Sequence, residues 1–416
     1  MSGNRRLRPG DIDLGHPDAF QDGQPFAYFE VLRREAPVHW NPPHGQDCGL
    51  GPIHEGFFVL TRYADGVEVS RRPELFSSFD GTSALADREP EEIAAMRQMM
   101  INQDPPEHNA YRRRVSSGFT PRMVQTLEEG IREKAREIVG AVAREGHCEF
   151  VEDLAAELPL ILICELLGVP QEDRYRIFAW SNQMVGGEDP EVSSPELQQS
   201  AAMQSWAYAE ELAAAKRAAP DDSLISRFLR GADSEEGVSP EEIAFFFILL
   251  QSAGSETTRN ATTHGVRLFC EHPDQLALLR SDLERYLPSA VEEVLRVSSP
   301  VIMMRRTATA DTEIRGVTIA RGQKIGMYYG SFNRDEEVFE RPNDFDITRD
   351  PNPHVAFGVG QHFCLGANLA RMQLRCIFRE IYTQLDGLEV VGPPRLQRGA
   401  LIDGVRAMPV RFSRRA

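Results

Sequence analysis

One cysteine near the C-terminal end of the sequence stands in a setting suited to chemistry. In HVAFGVGQHFCLGANLAR, which runs from His354 to Arg371, three glycines and His362 surround Cys364. Apolar residues then recur at helical spacing from Leu365, and Gly387 supplies a stop. Cys364 is therefore predicted to lie at or just before a helix N-terminus, where the helix dipole favours a thiolate. The glycines would let a large flat partner approach the backbone closely.

Several roles are open to such a cysteine. It could be a small buried residue that begins a helix, a common place for a free cysteine. It could be a nucleophile with His362 as its base, although a spacing of two residues in a loop seldom makes a productive pair. It could also bind a metal. The positions of Cys376 and His362 do not give the ligand spacing of zinc, whereas a haem iron needs only one protein ligand.

A second group of polar residues lies in an apolar helical stretch. Ser239 and Glu242 in SPEE form a capping box, and no strong helix breaker follows until Pro273. One helix roughly 50 Å long is predicted, at about 1.5 Å per residue. Glu256 and Thr257 in QSAGSETTRN are polar residues in the middle of this helix. Taken alone, Thr257 could bond back to a preceding carbonyl and Glu256 could reach solvent.

The remaining elements predict a mainly α-helical fold with small β-sheets. Helical periodicity runs through RMVQTLEEGIREKAREIVGAVAREG and DQLALLRSDLERYLPSAVEEVLR. Strand signals are short, as in GFFVLTR, TEIRGVTIARGQKIGMYY and AMPVRFS. No repeat or linker marks a boundary, so residues 1–416 are predicted to form a single domain. Turn-rich stretches at 80–92, 186–196 and 231–239 are expected to be exposed, mobile connections bordering an access route.

Charge and composition narrow the class of protein. The 416 residues include 46 basic and 63 acidic residues, a net charge of -17, which argues against general affinity for nucleic acid or anionic membranes. No apolar run approaches the ~18 residues of a membrane span, and the N-terminus lacks the apolar core of a secretory signal. The six scattered cysteines include no C-x-x-C pair. We therefore expect a soluble, cytoplasmic protein, and a monomer.

The residues around Cys364 resemble those of a known family. Phe357, Gly360, His362, Cys364 and Gly366 fill the pattern F-x-x-G-x-H-x-C-x-G, which is typical of the haem-binding loop of the cytochrome P450 superfamily. The resemblance runs nearly end to end, from FAYFEVLRREAPVHW through PELFSSF and GFTPRMV to the C-terminal strands. It implies a P450 fold, with haem b (iron protoporphyrin IX) between a long distal helix and a proximal cysteine loop. Cys364 would be the axial thiolate ligand of the iron.

The resemblance also implies which residues hold the haem. His362 lies where the family places a basic residue against a haem propionate, and Arg306 matches the family's basic residue on a strand beside the haem. His108 and Arg112, four residues apart on one helical face, suit the porphyrin carboxylates as well. The predicted haem-binding set is His108, Arg112, Arg306, Phe357, Gly358, His362, Cys364 and Gly366.

Another family feature is predicted to fix the cysteine loop. Glu293 and Arg296 in VEEVLR share one helical face. Taken alone, such a pair usually lies on a solvated surface and contributes little to stability. The family pairs its E-x-x-R with an arginine from the segment before the haem loop, and Arg349 stands at the matching place. A cluster of a carboxylate and two guanidiniums can hold a long irregular loop. These three residues are therefore interpreted as structural.

In the long helix, A-G-x-[acid]-T resembles the family's distal oxygen-binding motif. Ala253 and Gly254, with a locally loosened helix, would make room for O2 as the co-substrate. Glu256 and Thr257 would relay protons to the distal oxygen. The acid and alcohol pair favours a monooxygenase over an O2-independent haem isomerase or dehydratase, and over a non-catalytic haem sensor or carrier.

Electrons are expected to come from NAD(P)H through separate partners, since the resemblance leaves no residues for a reductase module. Arg112, Arg113, Arg114, Arg371 and Arg375 could form a local basic patch on an acidic protein. An acidic ferredoxin, itself reduced by a ferredoxin reductase, is predicted to dock there, because complementary charge steers electron-transfer encounters.

The substrate is expected to be a small, hydrophobic molecule. A largely apolar set of side chains should lie over the haem and bind by burial. Stretches such as ELPLILICELLGVPQEDR and AGSETTRN look like bacterial members that hydroxylate terpenoids, methyl-branched lipids or steroid side chains. A macrolide or other polyketide precursor is the alternative. The predicted substrate residues are Met99, Met100, Ile101, Leu250, Val301, Ile302, Met303, Leu401 and Ile402.

Overall fold

The structure is a computed structural model that describes residues 7–44, 52–230 and 238–415. Most of the turn-rich stretch predicted at 231–239 therefore lies outside the described residues. The helices are α1 (Phe26–Glu35), α2 (Tyr63–Arg71), α3 (Pro90–Met96), α4 (Glu107–Ser116), α5 (Pro121–Val142), α6 (Glu157–Leu167), α7 (Arg174–Val185), α8 (Pro195–Ala218), α9 (Leu224–Arg230), α10 (Pro240–Glu271), α11 (Pro273–Ser281), α12 (Leu283–Ser298), α13 (Tyr329–Phe332) and α14 (Ala367–Gln384).

The strands are short, as the sequence predicts. They are β1 (Val38–Asn41), β2 (Phe57–Leu60), β3 (Phe76–Ser77), β4 (His147–Glu149), β5 (Met303–Ala308), β6 (Thr312–Ile314), β7 (Val317–Ile319), β8 (Lys324–Tyr328), β9 (Leu385–Val390), β10 (Arg395–Leu396), β11 (Val405–Ala407) and β12 (Pro409–Arg414). The main sheet has the order β1-β2-β8-β5-β3, in which only β2 and β8 are parallel. A second sheet has the order β4-β12-β9, and β6-β7 and β10-β11 form separate pairs.

Helix α10 confirms the predicted long helix. Its capping box is formed, because the Ser239 hydroxyl accepts from the Glu242 N–H at 3.1 Å and the Glu242 carboxylate accepts from the Ser239 N–H at 3.0 Å. Side chains are buried along nearly its whole length, where it packs against α6, α7, α8, α12 and α14. A helix buried on most sides is a rigid support for a central site.

Two turn-rich stretches are less exposed than expected. Leu85 and Ala86 are buried within 80–92. In the α7–α8 connection (residues 186–194), Asp189 is buried and its carboxylate accepts from the Arg398 N–H at 3.2 Å. The expectation of exposure was wrong at these positions, because Leu85 packs in an apolar cluster with Ile302 and Met303 and Asp189 has a partner on the C-terminal segment.

Helix α14 begins three residues after Cys364, as predicted. It ends at Gln384, and Gly387 lies inside β9 instead of ending the helix. The apolar spacing continues through Leu385 because that residue begins a strand with a buried side chain.

No helix in the described part of the chain is both long enough and apolar enough to cross a membrane.

Candidate functional site

A cavity lies between helix α10 and the cysteine loop. Ala253, Gly254 and Thr257 line it from the helix, whereas Phe357 and Cys364 line it from the loop. Further walls come from α4, α6, β5 and the start of α14. The structure thus brings together the two groups of residues that the sequence singles out.

Cys364 is held by its own loop. Its N–H donates to the Phe357 carbonyl at 2.8 Å, and its carbonyl accepts from the Ala367 N–H at 3.4 Å. Burial raises the pKa of the Cys364 thiol, opposed by the Gly366 N–H and by the charges of Arg112 and Arg371. The Gly366 N–H and the two arginines thus act in the direction expected for a helix N-terminus, against the desolvation of the sulfur.

Four basic side chains converge on the same cavity. They are those of His108, Arg112, Arg306 and His362, and all four line it. The two histidine rings lie 4.3 Å apart between centroids. Burial, together with Arg306, His108 and Arg112, lowers the pKa of His362 to about 2. This histidine is therefore neutral until an anion offsets the neighbouring cations.

The hydrogen bonds of these cations leave their charge unbalanced. Arg306 is buried and donates to the Arg305 carbonyl at 2.7 Å, and Arg112 donates to the Gln361 and Phe363 carbonyls at 3.3 and 2.7 Å. Among the described residues, no carboxylate forms an ion pair with either guanidinium. Buried arginine charge is ordinarily paired with an anion.

These residues fit haem. A group with two carboxylates would neutralise Arg112 and Arg306, and one thiolate sulfur suffices for its iron. In the described part of the chain, no three His, Cys, Asp or Glu side chains are grouped as a metal site. Gly358 adopts a φ of 72°, a conformation that favours glycine and brings the loop backbone to the cavity wall. The donor set therefore suits a flat, dianionic metal macrocycle better than a bare ion.

The predicted cluster beneath the loop is formed. The fully buried Glu293 carboxylate accepts from Arg296 Nε and a terminal guanidinium nitrogen at 2.8 Å each, and from Arg349 Nε at 3.2 Å. Arg296 also donates to the carbonyls of Asn333, Pro342 and Asp344 at 2.7–2.9 Å. The cluster thereby joins α12 to the irregular segment that leads to Cys364.

The distal part of α10 differs from the expected loosened helix. The helix is continuous from Pro240 to Glu271. A Cβ at Gly254 would lie 2.7 Å from Ile163 Cδ1, so the glycine lets α6 pack closely against α10. The Thr257 hydroxyl lines the cavity and donates to the Ala253 carbonyl at 3.0 Å. This back-bond is the alternative that the sequence left open for Thr257.

Glu256 does not line the cavity. Its buried carboxylate forms a short ion pair with Arg259, one turn further along α10. Arg259 also donates to Asn182 Oδ1 on α7 at 2.8 Å. Burial raises the pKa of Glu256, opposed by Arg259. Glu256, the predicted proton donor, is therefore held outside the cavity. Its Oε1 atom has no hydrogen-bond partner among the described residues.

The predicted substrate residues divide into two groups. Met100, Ile101, Leu250 and Val301 line the cavity. The placement of the others over the haem was wrong: Met303 and Leu401 line a second, smaller cavity, and neither cavity is lined by Met99, Ile302 or Ile402.

Strand geometry explains the error at Met303. Side chains alternate along β5, so Met304 shares the cavity face with Arg306, and Met303 points to the opposite side. Arg306 was predicted to face the haem, so the two-residue period of a strand would also have predicted Met304 on that face. No sequence signal pointed to Ile163 or to Ser78, whose hydroxyl lies 3.2 Å from His362 Nε2.

The predicted basic patch is smaller than expected. Arg371 pairs with Glu292 through two contacts of 2.8 Å, and Arg114 pairs with Glu242 at 3.3 Å. Arg113 and Arg375 have no ion pair among the described carboxylates. Phe363, next to Cys364, is 40% exposed.

Comparisons with known proteins agree with this site. The family model "Cytochrome P450" matches residues 206–384. A steroid C26-monooxygenase of Rhodococcus jostii (strain RHA1) is 42% identical over 409 residues, covering 97% of this chain and 85% of that protein. A methyl-branched lipid omega-hydroxylase of Mycobacterium bovis is 40% identical over 414 residues, covering 97% of this chain and 95% of that protein.

The fold matches solved structures as well. The structure of Mycobacterium marinum cytochrome P450 CYP268A2 in complex with pseudoionone superposes with a TM-score of 0.90. The two sequences are 37% identical, and the superposition covers 98% of this chain and 100% of that chain.

Proposed function

This chain belongs to the cytochrome P450 family, and we propose that it hydroxylates an unactivated methyl group on a steroid side chain, a terpenoid or a methyl-branched lipid. The coarser activity follows from the family and the relatives: the protein is a monooxygenase of hydrophobic molecules that uses haem-thiolate chemistry and O2. When bound, haem would supply the iron at which O2 is activated, and a cysteine thiolate ligand would favour O–O cleavage.

The apolar wall above the cysteine loop is the observation that carries the proposed substrate class. Met100, Ile101, Leu250, Val301 and Met304 present hydrocarbon to the cavity. A wall of this kind binds by burial, at about 25 cal/mol per Å² of apolar surface. The relatives named for steroids and methyl-branched lipids support the same class.

The haem contacts assigned to this chain belong to the proposal. Cys364 would ligate the iron, and His108, Arg112, Arg306 and His362 would face the propionates. Phe357, Gly358 and Gly366 would shape the loop around the sulfur. Each of these residues lines the cavity, which supports the assignment.

We propose that Thr257 and Glu256 transfer protons into the cavity. The Thr257 hydroxyl is in the cavity and can hold a proton at Oγ1 while Ala253 accepts its hydrogen bond. Glu256 can serve as the acid only after its carboxylate leaves Arg259, because the ion pair keeps it outside the cavity. The proposed relay therefore includes a rearrangement of this ion pair.

Electrons reach a P450 from redox partners, and we propose an acidic ferredoxin with its reductase, driven by NAD(P)H. Arg113 follows Arg112, which donates to the carbonyl of Phe363 in the cysteine loop, and Arg375 lies on α14, the helix that follows this loop. Neither arginine has a carboxylate partner among the described residues. Phe363, which belongs to the cysteine loop, is also exposed and offers an apolar contact to such a partner.

An optical titration tests the substrate class. The purified haem protein is titrated with a sterol ketone, a terpenoid, a methyl-branched fatty acid and a macrolide precursor, and the spin state of the iron is followed in each case. Steroid, terpenoid or branched-lipid binding should displace water and shift the spin state, and turnover should yield a product oxidised at a methyl group. A response to polyketides alone would overturn the proposal in favour of macrolide tailoring.

A further inference from the structure

One tyrosine in the cavity between α10 and the cysteine loop has no part in the contacts described above. Tyr329 directly follows β8, at the first position of α13, and its side chain lines this cavity. Its N–H donates to the Ile302 carbonyl at 2.9 Å. Its ring packs edge-on against the Phe332 ring, with 5.9 Å between the centroids. The backbone and the ring of Tyr329 are therefore both held in place.

The Tyr329 hydroxyl lies close to the cysteine loop and to a buried cation. A Cβ at Gly358 would lie 3.9 Å from the Tyr329 oxygen, and Gly358 itself lines the cavity. Burial raises the pKa of the Tyr329 hydroxyl, opposed by the charge of Arg306. The hydroxyl therefore stays protonated at neutral pH and is available as a hydrogen-bond donor.

This donor has no acceptor in the described part of the chain. Tyr329 is buried, and no hydrogen bond joins its hydroxyl to a described residue. Arg306 donates to the Arg305 carbonyl and has no ion pair with a described carboxylate. Buried hydroxyls are ordinarily hydrogen-bonded, and buried guanidiniums ordinarily have a counter-ion. A carboxylate placed between the two side chains would satisfy both.

The preceding residue is also a tyrosine, but it lies on the other side of the sheet. Tyr328 pairs with Met303 across β8 and β5 and does not line the cavity, whereas Tyr329 and Met304 do. This is the alternation expected of successive side chains along a strand. Tyr328 is likewise buried, and its hydroxyl has no partner among the described residues. It is therefore a matched control for Tyr329.

We propose that Tyr329 is a haem-binding residue, whose hydroxyl donates a hydrogen bond to the haem carboxylate that Arg306 faces. The inference rests on the proposed function, because it requires haem in the cavity. A phenol hydrogen bond added to a guanidinium offsets more of the negative charge of the carboxylate. Less negative charge near the porphyrin favours the ferrous iron, so Tyr329 should raise the reduction potential and slow the loss of haem.

The test removes the hydroxyl and keeps the ring, in Tyr329→Phe. Haem transfer to apomyoglobin gives the rate of haem loss, and spectroelectrochemistry gives the reduction potential of the iron. We expect haem loss to be roughly tenfold to a hundredfold faster, the range for one hydrogen bond to a charged group. The potential should shift to more negative values, an effect that a change in ring packing alone would not produce.

Tyr328→Phe removes the other buried hydroxyl and should keep both quantities at their wild-type values. Unchanged haem loss and potential in Tyr329→Phe, or equal changes in Tyr328→Phe, would overturn the assigned hydrogen bond. The carbon monoxide spectrum of the same reduced samples separates this failure from a failure of the proposed function. A wild-type protein without the band of a thiolate-ligated carbonyl would contradict the ligation proposed for Cys364, and the role of Tyr329 would fall with it.

Discussion

At the scale of single residues, the site depends on side chains whose charge or hydroxyl is left free for a partner. Arg306 and Arg112 donate to backbone carbonyls and form no ion pair with the described carboxylates, so their charge is available to an anion in the cavity. Thr257 is the hydroxyl of the Glu256–Thr257 pair that lines the cavity. Within the proposed relay, Thr257 therefore lies at the cavity wall, whereas Glu256 is paired with Arg259 outside the cavity.

Replacing Thr257 should uncouple O2 consumption from product formation. Thr257→Ala removes the hydroxyl at the cavity wall, so protons should arrive less selectively and more O2 should leave as hydrogen peroxide. We expect unchanged haem content and a fall of roughly a hundredfold in product formed per NADH, the low end of the effects for losing a proton-transfer group.

Thr262 is the matched control for that substitution. Its hydroxyl makes the same type of back-bond, to the Thr258 carbonyl at 2.9 Å, but it does not line the cavity. Thr262→Ala should keep the wild-type ratio of product to peroxide. If Thr257→Ala also keeps that ratio, Thr257 has no part in the relay.

Where the cysteine-loop motif fixed the spacing, the haem-binding residues predicted from the sequence all line one cavity. The residues of the cysteine loop were identified because several fixed positions lie close together in the chain. Met303 was misplaced and Met304 was missed because apolar character was read without the two-residue period of a strand. The ion pair that withdraws Glu256 depends on Arg259 and on Asn182 of another helix, and no local pattern reveals such a contact.

At the scale of elements, α10 and the cysteine loop are held by different means. Packing fixes the helix, because Gly254 lets Ile163 of α6 approach it closely. Charge fixes the loop, because Glu293 gathers Arg296 and Arg349 around one carboxylate. The capping box and the E-x-x-R spacing made both elements predictable. The burial of Asp189 in the α7–α8 connection was not predictable, since its partner Arg398 is far away in the sequence.

The packing role of Gly254 predicts opposite effects for two glycine substitutions. Gly254→Ala should lower the free energy of unfolding, because overpacking costs about 1–3 kcal/mol and exceeds the gain in helix propensity. Gly130→Ala in the exposed part of α5, where a Cβ meets nothing within 4 Å, should stabilise the protein by about 0.5–1 kcal/mol. Thermal or denaturant unfolding of the haem protein measures both.

A second-site change identifies the cause of the first effect. Ile163→Val removes the Cδ1 atom nearest to the added methyl group, so it should restore part of the stability lost in Gly254→Ala. Equal stabilisation by Gly254→Ala and Gly130→Ala would show that α6 does not constrain α10 at this point.

The buried carboxylate cluster predicts a large effect at Glu293. Glu293→Gln leaves Arg296 without its counter-ion in the interior, which should destabilise the protein by about 3–5 kcal/mol and loosen the loop that carries Cys364. The fraction of haem retained after gel filtration and the unfolding midpoint report both effects.

An exposed pair provides the comparison for Glu293. Arg136 and Glu133 lie 3.4 Å apart on the exposed side of α5, so Arg136→Gln should change stability by less than about 1 kcal/mol. Similar small losses for both variants would mean that the Glu293 cluster does not hold the loop.

At the scale of the whole molecule, the charge distribution matters for electron supply. The chain carries a net charge of -17, yet Arg113 on α4 and Arg375 on α14, the helix after the cysteine loop, have no carboxylate partners among the described residues. An acidic partner would be repelled by most of the surface and attracted to this region. Composition indicated the acidic surface, but only the structure showed which arginines are neutralised.

Charge reversal at the patch tests this arrangement. Arg113→Glu and Arg375→Glu together should slow reduction by an acidic ferredoxin by about tenfold at low ionic strength, and the difference should shrink as salt screens the charges. Arg217→Glu on the exposed end of α8 is the control and should have little effect. Stopped-flow reduction at several salt concentrations gives the rates. Equal slowing by the control would place docking elsewhere.

The account as a whole depends on the bond between the sulfur of Cys364 and the haem iron. The carbon monoxide difference spectrum of the reduced protein tests that bond most directly. The wild-type protein should show the long-wavelength Soret band of a thiolate-ligated carbonyl, and Cys364→Ser should lose it. The control Cys376→Ser, which changes a different cysteine that is buried on α14, should keep this band. A wild-type band typical of histidine ligation, or a thiolate band that persists in Cys364→Ser, would contradict the account.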